Sequence, residues 1–183
     1  MIAAGEHQIA DLHAMKLFAE AVAETVVPQT ASDPRARQET SPASPATGSI
    51  SSHGAVTGPR HIVLLDGPMG AGKTQFTRFF MKALGSNETV SPSFAIHNSY
   101  ETPVGTVEHF DLYRLENEDD LESTGFWDYF LNRKGIIVIE WASRLREAGL
   151  EAALPRTWPK IWIAIELSSK QRDARCVRVR FDS

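Results

Sequence analysis

A single cysteine, Cys176, occurs in 183 residues. It cannot close an internal disulfide and has no metal-ligand companions, so the chain is expected to work in a reducing compartment, with Cys176 as a small buried side chain. No run approaches the ~18 apolar residues of a membrane span. The first residues lack a basic stretch followed by a long apolar one, and together these absences lead to the expectation of a cytoplasmic protein. Basic charge is also scarce: the net charge is −4. Stand-alone nucleic-acid binding draws largely on clustered Lys and Arg, so any role on RNA is expected to be shared with partners. Three motif sets are missing as well. Neither a D-x-x-G after residue 74 nor an N-K-x-D for guanine is present, and Asn132-Arg133-Lys134-Gly135 does not supply one. This disfavours a Ras-type GTPase. An arginine-rich lid, which would favour a kinase, does not stand out, and no Ser-His-acid set suggests nucleophilic catalysis.

What is present is one strong motif. Gly67-Pro68-Met69-Gly70-Ala71-Gly72-Lys73-Thr74 fits G-x-x-x-x-G-K-[ST]. The glycines let successive backbone N–H groups converge on one anion. Lys73 can then reach the β- and γ-phosphates, and the Thr74 hydroxyl can ligate Mg²⁺. The context is the required one. His61-Ile62-Val63-Leu64-Leu65 reads as a short buried strand, and after it Phe76, Phe79, Phe80, Ala83 and Leu84 recur at helical spacing until Gly85. A nucleotide-binding strand, loop and helix follow one another. Met69, Gly70, Ala71, Gly72, Lys73, Thr74 and Gln75 are therefore the candidate nucleotide contacts.

Around this centre, Ile9, Leu12, Met15, Phe18, Val22 and Val26 recur every three or four residues, which predicts an amphipathic helix over 9–27 that packs on the nucleotide domain. Residues 29–60 are rich in Ser, Pro, Ala and Thr. Such a segment cannot bury enough surface to offset its ordering entropy, so a disordered insert is expected. The resulting division is a first helix of the core (1–28), the insert (29–60) and a P-loop core (61–183). Residues 88–96 are expected to form a loop and strand and 104–111 a second strand. The acidic residues 116–122 then read as the start and solvated side of a short helix whose apolar face is Leu121, Phe126, Trp127, Phe130 and Leu131. Ile136-Ile137-Val138-Ile139 reads as a buried strand ending at Glu140, and 144–153 as helical. Alternation of Ile161, Ile163 and Ile165, and then of Val177, Val179 and Phe181, predicts two final strands joined as a hairpin around 168–172.

In P-loop proteins an acid at the end of a neighbouring strand shares the metal with the loop hydroxyl. Asp111 and Glu140 both qualify. One can ligate Mg²⁺, directly or through water, and the other can orient the attacking water; spacing does not say which. With Lys73 they form the candidate catalytic set. His109 could carry a proton, but a lone histidine beside aromatic residues is expected to be structural. Arg172, Arg175, Arg178 and Arg180 could meet phosphate, although alternation on an exposed strand accounts for them equally.

Gly70-Ala71-Gly72-Lys73-Thr74 with Arg78, then Ser91-Pro92-Ser93-Phe94, His109-Phe110-Asp111-Leu112-Tyr113-Arg114-Leu115 and Glu140-Trp141, taken together, resemble the TsaE family. That family is the bacterial ATPase subunit of the machinery that makes N6-threonylcarbamoyladenosine on tRNA. The resemblance implies an α/β P-loop NTPase fold with a mixed, partly parallel sheet flanked by helices. It also implies a weak ATPase that uses ATP and Mg²⁺ and works with TsaB and TsaD homologues on adenosine 37, touching tRNA only through that complex. By the same resemblance Thr74 and Glu140 are metal ligands and Asp111 is essential to hydrolysis. Ser91 to Phe94 form a switch-like loop, and Trp141 lies near the site. Three departures stand out. Ser93 replaces a usual Thr, Met15 falls where the family carries a Thr near the base, and about thirty residues intervene before the first strand. Gln171-Arg172-Asp173-Ala174-Arg175 resembles a segment that can touch the nucleotide, making Arg172 a further candidate.

Two other classes fit the motif. A small-molecule or nucleotide kinase would consume ATP when given a hydroxyl acceptor. A nucleotide-gated binding module would hold ATP with negligible turnover and keep its function in Glu140→Ala.

Overall fold

The chain alternates strands that bury both faces with helices that bury one stripe, and in the computed structural model it folds as one sheet covered on both sides. The structure describes residues 1–27, 60–86, 96–115, 118–131, 135–169 and 171–182. The expected disordered insert and the loop at 91–94 lie outside these, apart from Arg60, which opens a strand.

The elements are β1 (Gly5–Ile9), α1 (Leu12–Val26), β2 (Arg60–Asp66), α2 (Lys73–Ala83), β3 (His97–Thr102), β4 (Gly105–Asp111), α3 (Glu118–Glu122), α4 (Asp128–Leu131), β5 (Gly135–Glu140), α5 (Ser143–Glu147), β6 (Lys160–Leu167) and β7 (Arg175–Asp182). Seven strands run in the order β1-β7-β6-β2-β5-β4-β3. The central four, β6, β2, β5 and β4, are mutually parallel, while β7, β1 and β3 are added antiparallel. This is the mixed, partly parallel α/β sheet expected from the sequence.

β5 shows why the centre of the sheet is so apolar. All six of its residues are buried, because helices cover both faces. Ile136 and Val138 face α1 and α2, whereas Ile137 and Ile139 face the side built from α3, α4 and α5. Each such side chain contributes about 1.5–3 kcal/mol of burial. On the first face, Met15, Phe18 and Val22 of α1 pack with Phe76 and Phe80 of α2 over Val63 and Leu65. On the second, Phe110 meets Phe126 edge to face at 4.8 Å.

Three elements differ from the sequence expectation. The first helix begins at Leu12 rather than Ile9, because Asp11 caps it, its Oδ1 accepting from the Ala14 amide at 2.8 Å. Ile9 instead ends β1, paired with Arg175 of β7. β1 carries one buried apolar residue, so its pairing comes from backbone complementarity with β7 and leaves no period in the sequence. On the opposite edge, β3 starts at His97; the loop and strand expected over 88–96 lie outside the described residues, apart from Ile96. Finally, the helix expected over 144–153 is a short α5 followed by a 3₁₀ turn at Glu151–Ala153. Gly149 between them has φ +75° and Leu150 donates back to the Leu145 carbonyl at 2.7 Å, which ends α5.

Candidate nucleotide site

The four parallel strands deliver their carboxyl ends to one edge, where ligands of open α/β sheets collect. Asp66 ends β2, Asp111 ends β4 and Glu140 ends β5, with Asp111 and Glu140 register partners in neighbouring strands. Directly after β2 the chain turns through the glycine-rich loop into α2.

That loop is shaped by close approach. Gly67 has φ +133°, and a Cβ there would stand 2.0 Å from the Ile165 carbonyl oxygen of β6. Only glycine lets β2 pass so near its neighbour before curling. Gly70 and Gly72 also have positive φ, and α2 starts at Lys73 with its free amides opening toward the loop. Such a concave run of N–H groups is an anion cradle.

Lys73 lies under the loop, 5% exposed. Its Nζ donates to the carbonyls of Gly67 at 2.7 Å and Pro68 at 3.1 Å. The same ammonium stands 3.5 Å from the centroid of the Trp141 ring. Burial holds its pKa below the usual lysine range, although Glu140, Asp66 and Asp111 all pull the other way.

Glu140 is 1% exposed and accepts three hydrogen bonds from described residues. Its Oε2 accepts from the Thr74 hydroxyl at 2.8 Å, and its Oε1 accepts from Thr77 Oγ1 at 2.8 Å and His109 Nε2 at 3.0 Å. Burial raises the carboxyl pKa, but the hydrogen bonds from His109, Thr77 and Thr74 outweigh it and hold the value below the ordinary one. Thr74 and Glu140 together present oxygen donors of the kind hard divalent cations prefer. Among the described residues, no group of three His, Cys, Asp or Glu side chains could hold a metal alone. Mg²⁺ is commonly held by one or two protein oxygens with water and substrate phosphate completing its shell, and a Thr74–Glu140 pair suits that arrangement.

Two clefts meet at the loop. One, of about 410 Å³, is lined by Met69, Gly70, Gly72, Lys73, Thr74 and Gln75 on one side and by Asp111, Tyr113, Arg114 and Trp141 on the other. The second, of about 520 Å³, runs between the loop and α1, where Ile9, Leu12 and Met15 face Gln75 and Arg175.

The structure thus brings Met69, Gly70, Gly72, Lys73, Thr74, Gln75, Asp111 and Trp141 to one cleft, with Glu140 buried behind Thr74. Ala71 is buried under the loop. Arg172 stands apart: it is exposed in the β6–β7 turn and lines neither cleft. Arg175 approaches the loop instead, its Nε donating to the Ala71 carbonyl at 2.8 Å and its guanidinium also to the Arg172 carbonyl at 3.1 Å. Thr77 and Arg114 are further site neighbours that sequence reasoning did not single out. Thr77 sits one residue short of a helical turn beyond Thr74, a spacing that could have flagged it. Trp141 has φ +60°, unusual for a bulky residue, and this conformation accompanies the ring's position against Lys73.

Comparisons with known proteins agree with this geometry. Residues 37–177 match the family described as Threonylcarbamoyl adenosine biosynthesis protein TsaE. Among its relatives, the tRNA threonylcarbamoyladenosine biosynthesis protein TsaE of Bacillus subtilis is 39% identical over 90 residues, 49% of this chain and 55% of that protein. The protein of the same name from Haemophilus influenzae is 39% identical over 84 residues, 45% of this chain and 52% of that protein. The chain thus aligns with about half the length of these relatives. A solved structure, that of Bacillus subtilis YdiB, superposes with a TM-score of 0.59 at 20% identity, covering 100% of this chain and 88% of the other. That likeness concerns the fold. With the family match running from before β2 to the middle of β7, and with the loop, the strand-end acids and Glu140-Trp141 assembled at one edge, the chain belongs to the TsaE family.

Proposed function

We propose that this protein binds and hydrolyses Mg-ATP, and that the turnover supports threonylcarbamoyl modification of tRNA adenosine 37 together with TsaB and TsaD homologues in the cytoplasm. The observation that carries the catalytic part is the 2.8 Å bond between Thr74 and Glu140, beside the buried Lys73. A loop hydroxyl and a strand-end carboxylate so joined form the usual metal-binding pair of P-loop enzymes. The pathway assignment rests on the family and on the names of its relatives.

In this reading the loop amides and Lys73 take the β- and γ-phosphates in the cleft that Asp111 and Trp141 close from the far side. The nucleoside leaves across Gly72 into the groove beside Met15 and Gln75. Thr74 and Glu140 would hold Mg²⁺, which when bound would supply neutralising charge at the phosphate oxygens. Asp111 opens into the cleft, unlike the enclosed Glu140, and this suits it to orient the attacking water. Catalysis is mostly positioning and electrostatics. The protein does not itself transfer the threonylcarbamoyl group; its turnover resets or releases the partner complex.

Binding of labelled ATP and its turnover, measured side by side, test the assignment. Lys73→Ala is expected to abolish tight binding, and Glu140→Ala to retain nucleotide while losing turnover. Normal turnover in either variant would reject it.

A further inference from the structure

Glu140 is held asymmetrically, and the cause is a histidine that the hydrolysis scheme does not use. His109 lies on β4 opposite Val138, on the same side of the sheet as Glu140, and is 3% exposed. A carboxylate that ligates a metal must be deprotonated and can only accept, so the proton on the 3.0 Å contact is assigned to Nε2. His109 Nδ1 is buried and has no hydrogen-bond partner among the described residues. A histidine kept for packing alone would leave two polar atoms to satisfy. Here one is satisfied, and its partner is the carboxylate next to the loop.

We propose that His109 is a positioning residue that makes Glu140 a one-oxygen metal ligand. Each carboxylate oxygen can accept about two hydrogen bonds. Oε1 receives two, from Thr77 and His109, and is filled. Among the described residues Oε2 receives one, from Thr74, which leaves its second acceptor site beside the loop. Thr77 belongs to α2 and His109 to β4, so the carboxylate is braced from a helix and from the neighbouring strand, and cannot rotate to offer both oxygens. Partners of this kind orient a ligand without touching the metal.

The inference rests on the Mg-ATP reading, and two measurements separate its failure from the failure of that reading. In wild-type protein, two-bond ¹H–¹⁵N correlation spectra are expected to show His109 as the Nε2–H tautomer; an Nδ1–H tautomer would overturn the proposal with no variant made. The second measurement is the Mg²⁺ concentration that half-maximally tightens binding of a non-hydrolysable ATP analogue. His109→Leu, which keeps bulk but not the donor, is expected to raise it by about 10- to 100-fold. Analogue affinity without Mg²⁺ should stay within about twofold, since His109 does not touch the loop. His109→Gln, whose side-chain amide can donate in place of Nε2, is expected to recover most of the loss. An unchanged Mg²⁺ requirement in His109→Leu, or failure of Gln to rescue, would overturn the positioning role. If the wild-type protein shows no Mg²⁺-linked binding at all, the Mg-ATP reading fails, and the one-oxygen role falls with it whatever the tautomer.

Discussion

The ammonium of Lys73 lies 3.5 Å from the centre of the Trp141 ring, while two loop carbonyls accept from the same nitrogen. The face of an indole is a weak substitute for an anion, with about 0.5–2 kcal/mol in such contacts. A phosphate in the cradle competes for the same cation with a full negative charge, and should draw Lys73 off the ring. Of the four tryptophans, Trp141 is the one that lines this cleft. Addition of Mg-ATP is therefore expected to change intrinsic tryptophan fluorescence. Trp141→Phe should bind nucleotide and lose that change; a full response in the variant would show that the signal arises elsewhere.

Gly67 supports a stability prediction. Alanine there would drive its Cβ into the Ile165 carbonyl, at 2.0 Å in the unrelaxed structure, and adds strain at φ +133°. Gly67→Ala is expected to lose ~3 kcal/mol in urea denaturation. Gly70→Ala meets nothing within 4 Å, so it should lose only the strain of a left-handed alanine, about 1–2 kcal/mol. Equal losses would mean that the loop does not press on β6.

Glu140 sets a pH dependence. Its folded pKa is below the ordinary value, so its contribution to stability is complete above the unfolded pKa of about 4.3 and is lost as pH falls through the lower folded value. Wild-type melting temperature should therefore drop more steeply than that of Glu140→Gln as pH falls below the unfolded carboxyl pKa of about 4.3. Parallel curves would mean that the buried carboxylate is not held ionised by its donors.

The C-terminal arginines divide sharply. Arg175 braces the loop from β7 through the Ala71 carbonyl, whereas the side chain of Arg172 is exposed. Arg175→Ala is expected to weaken ATP binding about tenfold, the size of one charge-assisted hydrogen bond. Arg172→Ala should change it by less than about twofold. The reverse order would return the nucleotide contact to Arg172.

The different placement of Arg172 and Arg175 marks a limit of local sequence patterns. The loop, β2, β5 and the β6–β7 hairpin were legible because their chemistry or periodicity is local: glycine spacing in one case, β-branched runs and alternation in the others. Asp111 and Glu140 were legible as strand ends, yet their difference was not, because it depends on which of them His109, Thr77 and Thr74 surround. Those three lie 31, 63 and 66 residues from Glu140. Arg175 reaches Ala71 across 104 residues, so no local pattern could distinguish it from Arg172. β1 and β3 leave no clear period in the sequence for another reason. They are edge strands with mainly polar side chains, placed by backbone pairing to β7 and β4 rather than by an apolar face.

The central claim, a P-loop ATPase whose turnover serves a partner complex, is tested most directly by ATP hydrolysis of the purified chain with Mg²⁺, alone and then with its host's TsaB and TsaD homologues. The account predicts slow turnover alone, strong stimulation by the partners, and loss of both in Glu140→Ala. Robust turnover without partners, or stimulation only by a small hydroxyl acceptor, would contradict it and point to a kinase.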